Sequence, residues 1–169
     1  GRIRSVTNTR KITRTMELVA TSKLKRAQDR VVATRPYAEA LRGVIADLVT
    51  PELAEGFPLL RQPAPPSKGG PTRAALILLT SNRGLAGGFN SNIIRRTQRF
   101  LTEQGDQYEK VELATVGRKA KDFLRARKLH VRKDFVGVHQ GLTYGKAEAI
   151  AQEYVARFVA GEVDAVFLC

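Results

Sequence analysis

The stretch TRKITRTMELVATSKLKRAQDRVVATRPYAEALRGVIADLV, residues 9–49, decides how the N-terminal part of the chain folds. Its apolar positions recur three or four residues apart, with a mean spacing of about 3.6 residues, which is the period of an α-helix. Pro36 is the only helix breaker before Gly43, and it would either kink the helix or begin a second one. The apolar stripe consists of Ile12, Met16, Ala20, Leu24, Ala27, Val31, Thr34, Ala38, Leu41, Ile45 and Leu48.

The length of this helix constrains what the rest of the chain can do. A helix of about 40 residues is a rod of about 60 Å, whereas the other ~120 residues form at most one domain with a radius of gyration of about 14 Å. Such a domain is too small to cover the stripe. We therefore expect the rod to project and its stripe to pack against another helix or another chain. Leu18 and Val32 are apolar positions away from the stripe, which favours contacts on more than one side.

The chain carries a large and uneven positive charge. Its 169 residues have a net charge of +13, and residues 1–42 contribute 11 Lys/Arg and 3 Asp/Glu. A basic rod is suited to nucleic acid, an anionic membrane surface or an acidic protein surface. The cations are spread around the helix, and the first 36 residues lack aromatic side chains, which argues against nucleic acid.

The remaining composition predicts neither a membrane span nor a metal site. No apolar run in the sequence approaches 18 residues, and no segment has the pattern of a signal peptide. His130, His139 and the single cysteine, Cys169, do not have metal-ligand spacing. One cysteine in a chain of this length is typical of a reducing compartment.

After residue 49 the sequence takes on the pattern of an α/β domain. The segment QPAPPSKGGP, residues 62–71, has the prolines and glycines of a linker. Beyond it, apolar runs of strand length alternate with amphipathic segments, which predicts a parallel sheet with right-handed crossovers. We therefore predict a helical shaft segment at 1–56, a linker at 57–73 and a small Rossmann-like α/β domain at 74–169.

Local signals place the elements of this domain. The predicted strands are residues 74–80, 111–116, 130–136 and 163–169. The first predicted helix has Asn90 or Ser91 as its N-cap and stops at Gly105. The others are residues 118–129 and residues 146–160, with a loop between Gly137 and Gly145.

The Gly-rich turn TSNRGLAGGFNSN, residues 80–92, lies where nucleotide-binding α/β proteins hold phosphate. Gly84, Gly87 and Gly88 do not have G-x-G-x-x-G spacing, and GLTYGKA from Gly141 is not a P-loop. A tight turn that needs glycine for its backbone conformation is the favoured interpretation. The sequence has no catalytic triad motif and no paired acidic cluster. We therefore predict no catalytic, cofactor-binding or metal-binding residue.

Three segments carry a family resemblance: RIRSVTNTRKITRTMELVATSKLKRAQ, RPYAEAL and LLTSNRGLAGGFNSNI, which begin at residues 2, 35 and 78. With the rest of the chain they resemble the gamma subunit family of F-type ATP synthases. The resemblance implies a long N-terminal helix that pairs antiparallel with a C-terminal helix, as a rotating shaft inside the ring of alpha and beta subunits. That C-terminal helix is missing from the sequence, so we expect a truncated domain.

The same resemblance implies the setting of the chain. The α/β domain would lie at the foot of the shaft, on the membrane c-ring and beside the epsilon subunit. The chain would be a non-catalytic rotor, peripheral to the cytoplasmic face of the cell membrane in a bacterium, without cofactor or nucleic acid. Two positions depart from the family's usual turn: Asn82 replaces Asp, and Ala86 replaces a frequent Cys. Asn82 lacks a charge, so an ion pair made by that Asp is in doubt.

Six residues near the start of the rod are predicted to bind partners, namely acidic loops of the beta subunits. An alternative interpretation is that Met16 only packs against the partner helix. For the whole chain, one alternative is a basic helical adaptor that binds nucleic acid or an acidic protein, and another is a nucleotide-using enzyme. The six predicted residues are Lys11, Arg14, Met16, Lys23, Arg26 and Arg30.

Overall fold

The structure is a computed structural model that describes residues 1–60, 72–135, 137–138 and 143–169. The chain divides into two compact units, Gly1–Pro51 and Glu52–Cys169. The first unit is almost entirely one helix, and the second contains a parallel sheet with helices. Together these elements confirm an α/β fold with a long N-terminal helix.

Helix α1 runs without interruption over 47 residues, Arg2–Leu48. At about 1.5 Å per residue its length is about 70 Å. Pro36 lies inside it, so the helix that could have begun at Pro36 is part of α1 instead. Proline removes one backbone hydrogen bond at a cost of about 3 kcal/mol, and the good helix formers on both sides of Pro36 keep the chain helical. Every residue of α1 is exposed.

The second unit contains four strands and four α-helices in its described residues. The sheet is all parallel, with the strand order β3-β2-β1-β4. A parallel order requires crossover connections, which the helices between the strands supply. In chain order the elements are α2 (Pro51–Gly56), a 3₁₀ turn (Pro58–Leu60), β1 (Arg73–Leu79), α3 (Phe89–Glu103), a 3₁₀ turn (Gly105–Gln107), β2 (Lys110–Val116), α4 (Arg118–Ala126), β3 (Val131–Phe135), α5 (Tyr144–Val159) and β4 (Ala165–Leu168).

Several predicted boundaries are wrong by a few residues. Helix α3 begins at Phe89 after Gly88, and neither Asn90 nor Ser91 caps it. The Asn90 side chain instead accepts a hydrogen bond from the Ser81 backbone N–H at 3.0 Å. The predicted stop of α3 at Gly105 agrees with its end at Glu103, whereas α5 begins at Tyr144, inside the predicted loop. Much of the predicted linker, residues 61–71, and His139 lie outside the described residues.

The sheet separates two apolar layers. Because side chains alternate along a strand, Leu76 and Leu78 of β1 face one layer and Ile77 faces the other. The first layer is completed by Phe100 and Leu101 of α3 and by Leu124 of α4. The second is completed by α5, with Ile150, Tyr154 and Phe158. The continuous burial of β1 explains why its sequence is an unbroken apolar run.

The turns after β1 and β2 interlock at one edge of the sheet. Thr80 donates its backbone N–H to Val116 O at 2.8 Å. The Ala120 N–H in the first turn of α4 donates to Thr80 Oγ1 at 2.9 Å. Gly117 has a φ of +106°, and a Cβ placed on it would lie 2.0 Å from Thr80 O. Only glycine fits between the two turns, because the backbone has a positive φ there and there is no room for a Cβ.

Arg157 of α5 forms an ion-pair network on the sheet. Its side chain is 9% exposed, and its Nη2 donates to Glu112 Oε2 of β2 at 2.7 Å. Its Nε donates to Glu162 Oε2 at 2.9 Å. Burial raises the pKa of Glu112, but the hydrogen bonds and charges of Arg157 and Lys110 outweigh this and hold the pKa below its usual value.

Replacing Gly117 with Ala is expected to destabilise the second unit by about 2–4 kcal/mol, because a Cβ collides with backbone and the positive φ disfavours it. Urea unfolding followed by circular dichroism measures the effect. Gly105→Ala is the matched control, since a Cβ at Gly105 meets nothing within 4 Å. Equal stability of the two variants would show that the interlock tolerates a side chain.

Glu112→Gln is expected to lose about 2 kcal/mol at neutral pH, since a largely buried charge-assisted hydrogen bond is weakened. The folded-state pKa of Glu112 is lowered, so its ionisation stabilises the fold above the unfolded value of about 4.5 and this contribution is lost as the pH falls through the folded value. Urea titrations at pH 7 and about pH 3 should therefore show the difference from the unmodified chain shrinking in acid.

Glu103→Gln is the control for this measurement. Glu103 is 63% exposed and 3.8 Å from Arg99, a surface pair worth at most about 1 kcal/mol. A gap between Glu112→Gln and the unmodified chain that stays constant with pH would contradict the role given to the Glu112 charge.

Candidate functional site

The six predicted partner-binding residues all lie on α1 and are all exposed. Met16 is 62% exposed, which is unusual for a large apolar side chain without a covering partner. Arg14 forms a surface ion pair with Glu17 at 3.0 Å. The structure gives Lys23, Arg26 and Arg30 no ion pair within the described part of the chain, so these cations are available to a partner.

The helix places these residues on two different sides. Met16, Lys23 and Arg30 are seven residues apart, so they lie within about 40° of one another around α1. Arg26 is about 80° from Met16, whereas Lys11 and Arg14 are about 140° or more away. The six residues therefore do not form one patch. Met16, Lys23 and Arg30 form a column that shares Met16 with the apolar stripe, and we call it the Met16 column.

Sequence reasoning did not predict how the threonines of α1 are bonded. Six Thr hydroxyls each donate to the backbone carbonyl four residues earlier, at 2.9–3.1 Å. Thr34, a member of the apolar stripe, donates to Arg30 O at 3.0 Å. A hydroxyl satisfied within its own helix needs no partner from another chain. These threonines can therefore lie in an apolar contact without leaving an unpaired polar group. They are Thr7, Thr9, Thr13, Thr15, Thr21 and Thr34.

The Gly-rich turn is held by bonds within the domain. Asn82 Oδ1 accepts the backbone N–H of Arg118, the first residue of α4, at 3.0 Å. Lys119 N–H donates to Ser81 O at 3.2 Å. With Thr80 Oγ1, this turn therefore accepts hydrogen bonds from the first three N–H groups of α4, which no residue within that helix can accept. Asn82 keeps the acceptor that an Asp would offer to this backbone N–H.

The tip of the same turn is apolar and exposed. Gly87 has a φ of +54°, as expected of a glycine in a tight turn, but Leu85 has a similar φ of +58°. A left-handed conformation is unfavourable for leucine, and the Leu85 side chain is fully exposed. Sequence reasoning assigned the unusual backbone to the glycines and missed Leu85.

An apolar groove lies on the α5 side of the sheet, with a volume of about 580 Å³. Strands about 4.8 Å apart give a four-stranded sheet a width of about 19 Å, and one helix of about 10–12 Å covers only about half of it. α3 and α4 share the other face, whereas α5 packs on this one. Within the described residues, the groove lies beside α5 on this face, and Leu59 of the first 3₁₀ turn also lines it. Its exposed walls include Leu79, Val155, Val166 and Leu168.

The described residues contain no group of three or more His, Cys, Asp or Glu side chains placed to hold a metal ion. None of the described helices is both long and apolar enough to cross a membrane.

Comparisons with known proteins agree with this architecture. A family model described as ATP synthase matches residues 1–169. The chain is 54% identical to an ATP synthase gamma chain of Anaeromyxobacter sp. (strain Fw109-5), over 99% of this chain and 57% of that protein. It is 46% identical to an ATP synthase gamma chain of Gemmatimonas aurantiaca, over 99% of this chain and 56% of that protein. A gamma chain of Geobacter metallireducens is 41% identical over similar shares.

The ATP synthase family model matches the whole chain, which contains one long exposed helix and a small parallel α/β domain. The chain is therefore a protein of the ATP synthase class. Within that class, the chain belongs to the ATP synthase gamma chain family. It spans a little over half the length of the curated relatives it matches. The comparisons give no support to the alternative of a basic adaptor for nucleic acid or an acidic protein.

Asn82→Ala is expected to destabilise the second unit by about 1 kcal/mol, because a helix-capping acceptor is lost. Asn82→Asp should be as stable as the unmodified chain or more stable, by about 0.3–1 kcal/mol, because a carboxylate at a helix N-terminus interacts favourably with the helix dipole. Thermal unfolding at neutral pH compares the two variants. A less stable Asp variant would contradict the capping geometry.

The isolated chain is expected to self-associate or to lose part of α1, because the stripe from Ile12 to Leu48 is a long exposed apolar surface. Sedimentation velocity over a range of concentrations, combined with limited proteolysis, tests this. A clean monomer with a protease-resistant α1 would contradict it.

Proposed function

We propose that this chain is the N-terminal and middle part of the gamma subunit of an F-type ATP synthase. In this role it is the rotary central stalk that couples proton translocation to ATP synthesis at the alpha/beta hexamer. One observation carries the proposal: α1 is 47 residues long and exposed at every residue, within a chain of the gamma family. A shaft needs a long helix of this kind, because it must reach beyond the α/β domain of its own chain to contact other subunits.

The proposal assigns a part to each segment. Residues 1–56 are the shaft segment, residues 57–73 the linker, and residues 74–169 the α/β domain at the foot. The stripe on α1, apart from Met16, takes the C-terminal helix of the same subunit, and the Met16 column with the other predicted cations meets the alpha and beta subunits. The domain meets the epsilon subunit and the c-ring, at the cytoplasmic face of the cell membrane. The chain itself is non-catalytic, since ATP is made at the beta subunits.

The exposed cations of α1 are suited to contacts that must be released at each step of rotation. A solvent-screened ion pair is worth roughly 0–1 kcal/mol, whereas breaking one side of a buried pair costs about 3–5 kcal/mol. Lys11, Lys23, Arg26 and Arg30 are exposed and meet beta carboxylates weakly, and Arg14 does so in competition with Glu17. Weak contacts let the rotor leave one beta subunit for the next.

Met16 and the threonines make the remaining surface tolerant of a changing partner. Met16 is unbranched and flexible, so it packs against surfaces of different shape. The Thr hydroxyls bond within α1, so a passing subunit has no hydrogen bond to them that it must break. We infer that the Met16 column slides against the beta subunits and is held by none of them.

Met16→Lys is expected to lower the number of protons pumped per ATP hydrolysed in a reconstituted synthase. The added cation strengthens attachment to one beta subunit, and about 1 kcal/mol of extra attachment holds one orientation about fivefold longer. The measurement follows ATP hydrolysis and proton pumping in the same vesicles.

Leu18→Lys is the matched control. Leu18 is 60% exposed, close to the value for Met16, and lies about 160° away around α1. Unchanged coupling in Met16→Lys together with lower stability would make Met16 a packing residue of the shaft. Equal loss of coupling in both variants would assign the effect to total charge.

A further inference from the structure

The positive charge of the second unit is concentrated in one segment. Residues 118–133, RKAKDFLRARKLHVRK, contain eight Lys/Arg and one Asp, a net charge of +7. The other residues of this unit, 52–117 and 134–169, contain ten Lys/Arg and eleven Asp/Glu, a net charge of −1. This segment forms α4 and most of β3, and β3 is an edge of the sheet. The charge is therefore local and not a property of the whole domain.

Part of this segment forms a pocket of about 420 Å³ at the C-terminal end of α4. Lys121, Arg125, Lys128 and His130 contribute nitrogen atoms to its walls, and Asp134 also lines it. Lys128 has a φ of +58°, so the chain turns sharply there and brings the end of α4 next to the start of β3. Lys121 and His130, nine positions apart in the sequence, thereby line one cavity.

The single carboxylate in the pocket is already engaged. Asp134 Oδ1 accepts the hydroxyl of buried Thr115 at 2.9 Å, and Oδ2 accepts Lys121 Nζ at 2.7 Å. Lys121 is therefore held against Asp134 with two remaining N–H donors. Arg125 and Lys128 form no ion pair with any described residue. The pocket lining has a net charge of +2 with His130 neutral.

We propose that this pocket binds a phosphate group. Inorganic phosphate or a phosphate monoester carries up to two charges and at least three acceptor oxygens, so it can accept hydrogen bonds from Lys121, Arg125 and Lys128 together. A single carboxylate has two oxygens and would leave donors unused. The phosphate can be the terminal phosphate of phosphatidic acid or a soluble anion. The site does not depend on the rotor function proposed above.

The first experiment measures whether phosphate protects the pocket lysines of the whole chain. N-hydroxysuccinimidyl acetate labels lysines, and mass spectrometry reports labelling with increasing inorganic phosphate at a constant ionic strength set with potassium chloride. Labelling of Lys121 and Lys128 should fall severalfold and saturate. Lys133 is the matched control, because its side chain is 46% exposed against 45% for Lys121 and each is paired with a carboxylate. Succinate replaces phosphate in a parallel series.

The second experiment separates the two sources of phosphate. Flotation with vesicles of phosphatidic acid and phosphatidylcholine compares Arg125→Gln/Lys128→Asn with Arg95→Gln/Arg96→Gln. Both variants lose two charges, and the second loses them on exposed positions of α3. Asn is chosen at residue 128 because it tolerates the left-handed backbone.

The outcomes are distinct. Phosphate protection, with severalfold weaker flotation of the pocket variant alone, supports the site and assigns it to lipid headgroups. Phosphate protection with equal flotation of both variants supports the site and assigns it to a soluble phosphate. Absence of protection, equal protection of Lys133, or equal protection by succinate overturns the proposal.

Discussion

The contact between Thr80 and Gly117 is the constraint on which the second unit depends. Thr80 continues the β1–β2 hydrogen bonds beyond the strands, and its hydroxyl and the next two residues accept the first N–H groups of α4. One short turn therefore sets the register of the two central strands and the position of a helix. Helix α4 in turn carries Lys121 and Arg125, two of the three cations that line the basic pocket. A side chain at residue 117 would separate the turns, and the effect would reach the far end of α4.

Helix α1 gains no stability from packing within its own unit, since nothing in that unit packs against it. An isolated helix gains little from propensity alone, and most helical stability in proteins comes from packing of an apolar face. α1 also lacks an acidic residue in its first turn and a basic residue in its last turn. Its regular structure therefore needs an external surface along much of its length. The stripe, the Met16 column and the internally bonded threonines are features of a helix that completes its folding inside an assembly.

The parts of the fold that the sequence predicted are those set by local periodicity. The spacing from Ile12 to Leu48 predicted α1, and the run at residues 74–80 predicted β1, because each pattern lies within one element. Contacts between distant residues could not be predicted in this way. Arg157 and Glu112 are 45 positions apart, and Asn82 meets Arg118 across two separate turns. Asn90 shows the limit of local rules: its side chain has the chemistry of an N-cap, but tertiary contact with Ser81 uses it elsewhere.

The sequence showed which side chains α1 carries, but not how they are arranged around the helix. Charge counts identified the basic rod, yet only the continuous helix separates Lys11 and Arg14 from the Met16 column. The basic pocket could not be predicted, because it depends on the left-handed backbone conformation of Lys128 and lysine does not indicate such a conformation. Predicting the apolar groove requires knowing how many helices pack on each face of the sheet, and no single stretch of sequence gives this information.

The separation of charge within the second unit gives this unit, taken by itself, a large electric dipole. The positive end is the edge formed by α4 and β3, and the remainder carries a small net negative charge. A body with such a dipole turns in the field of an anionic surface before it touches it, so productive encounters are more frequent than random orientation would give. The torque acts only within about one Debye length, roughly 8 Å at physiological salt. Approach is therefore oriented by charge at short range, and high salt would remove the preference without altering the fold.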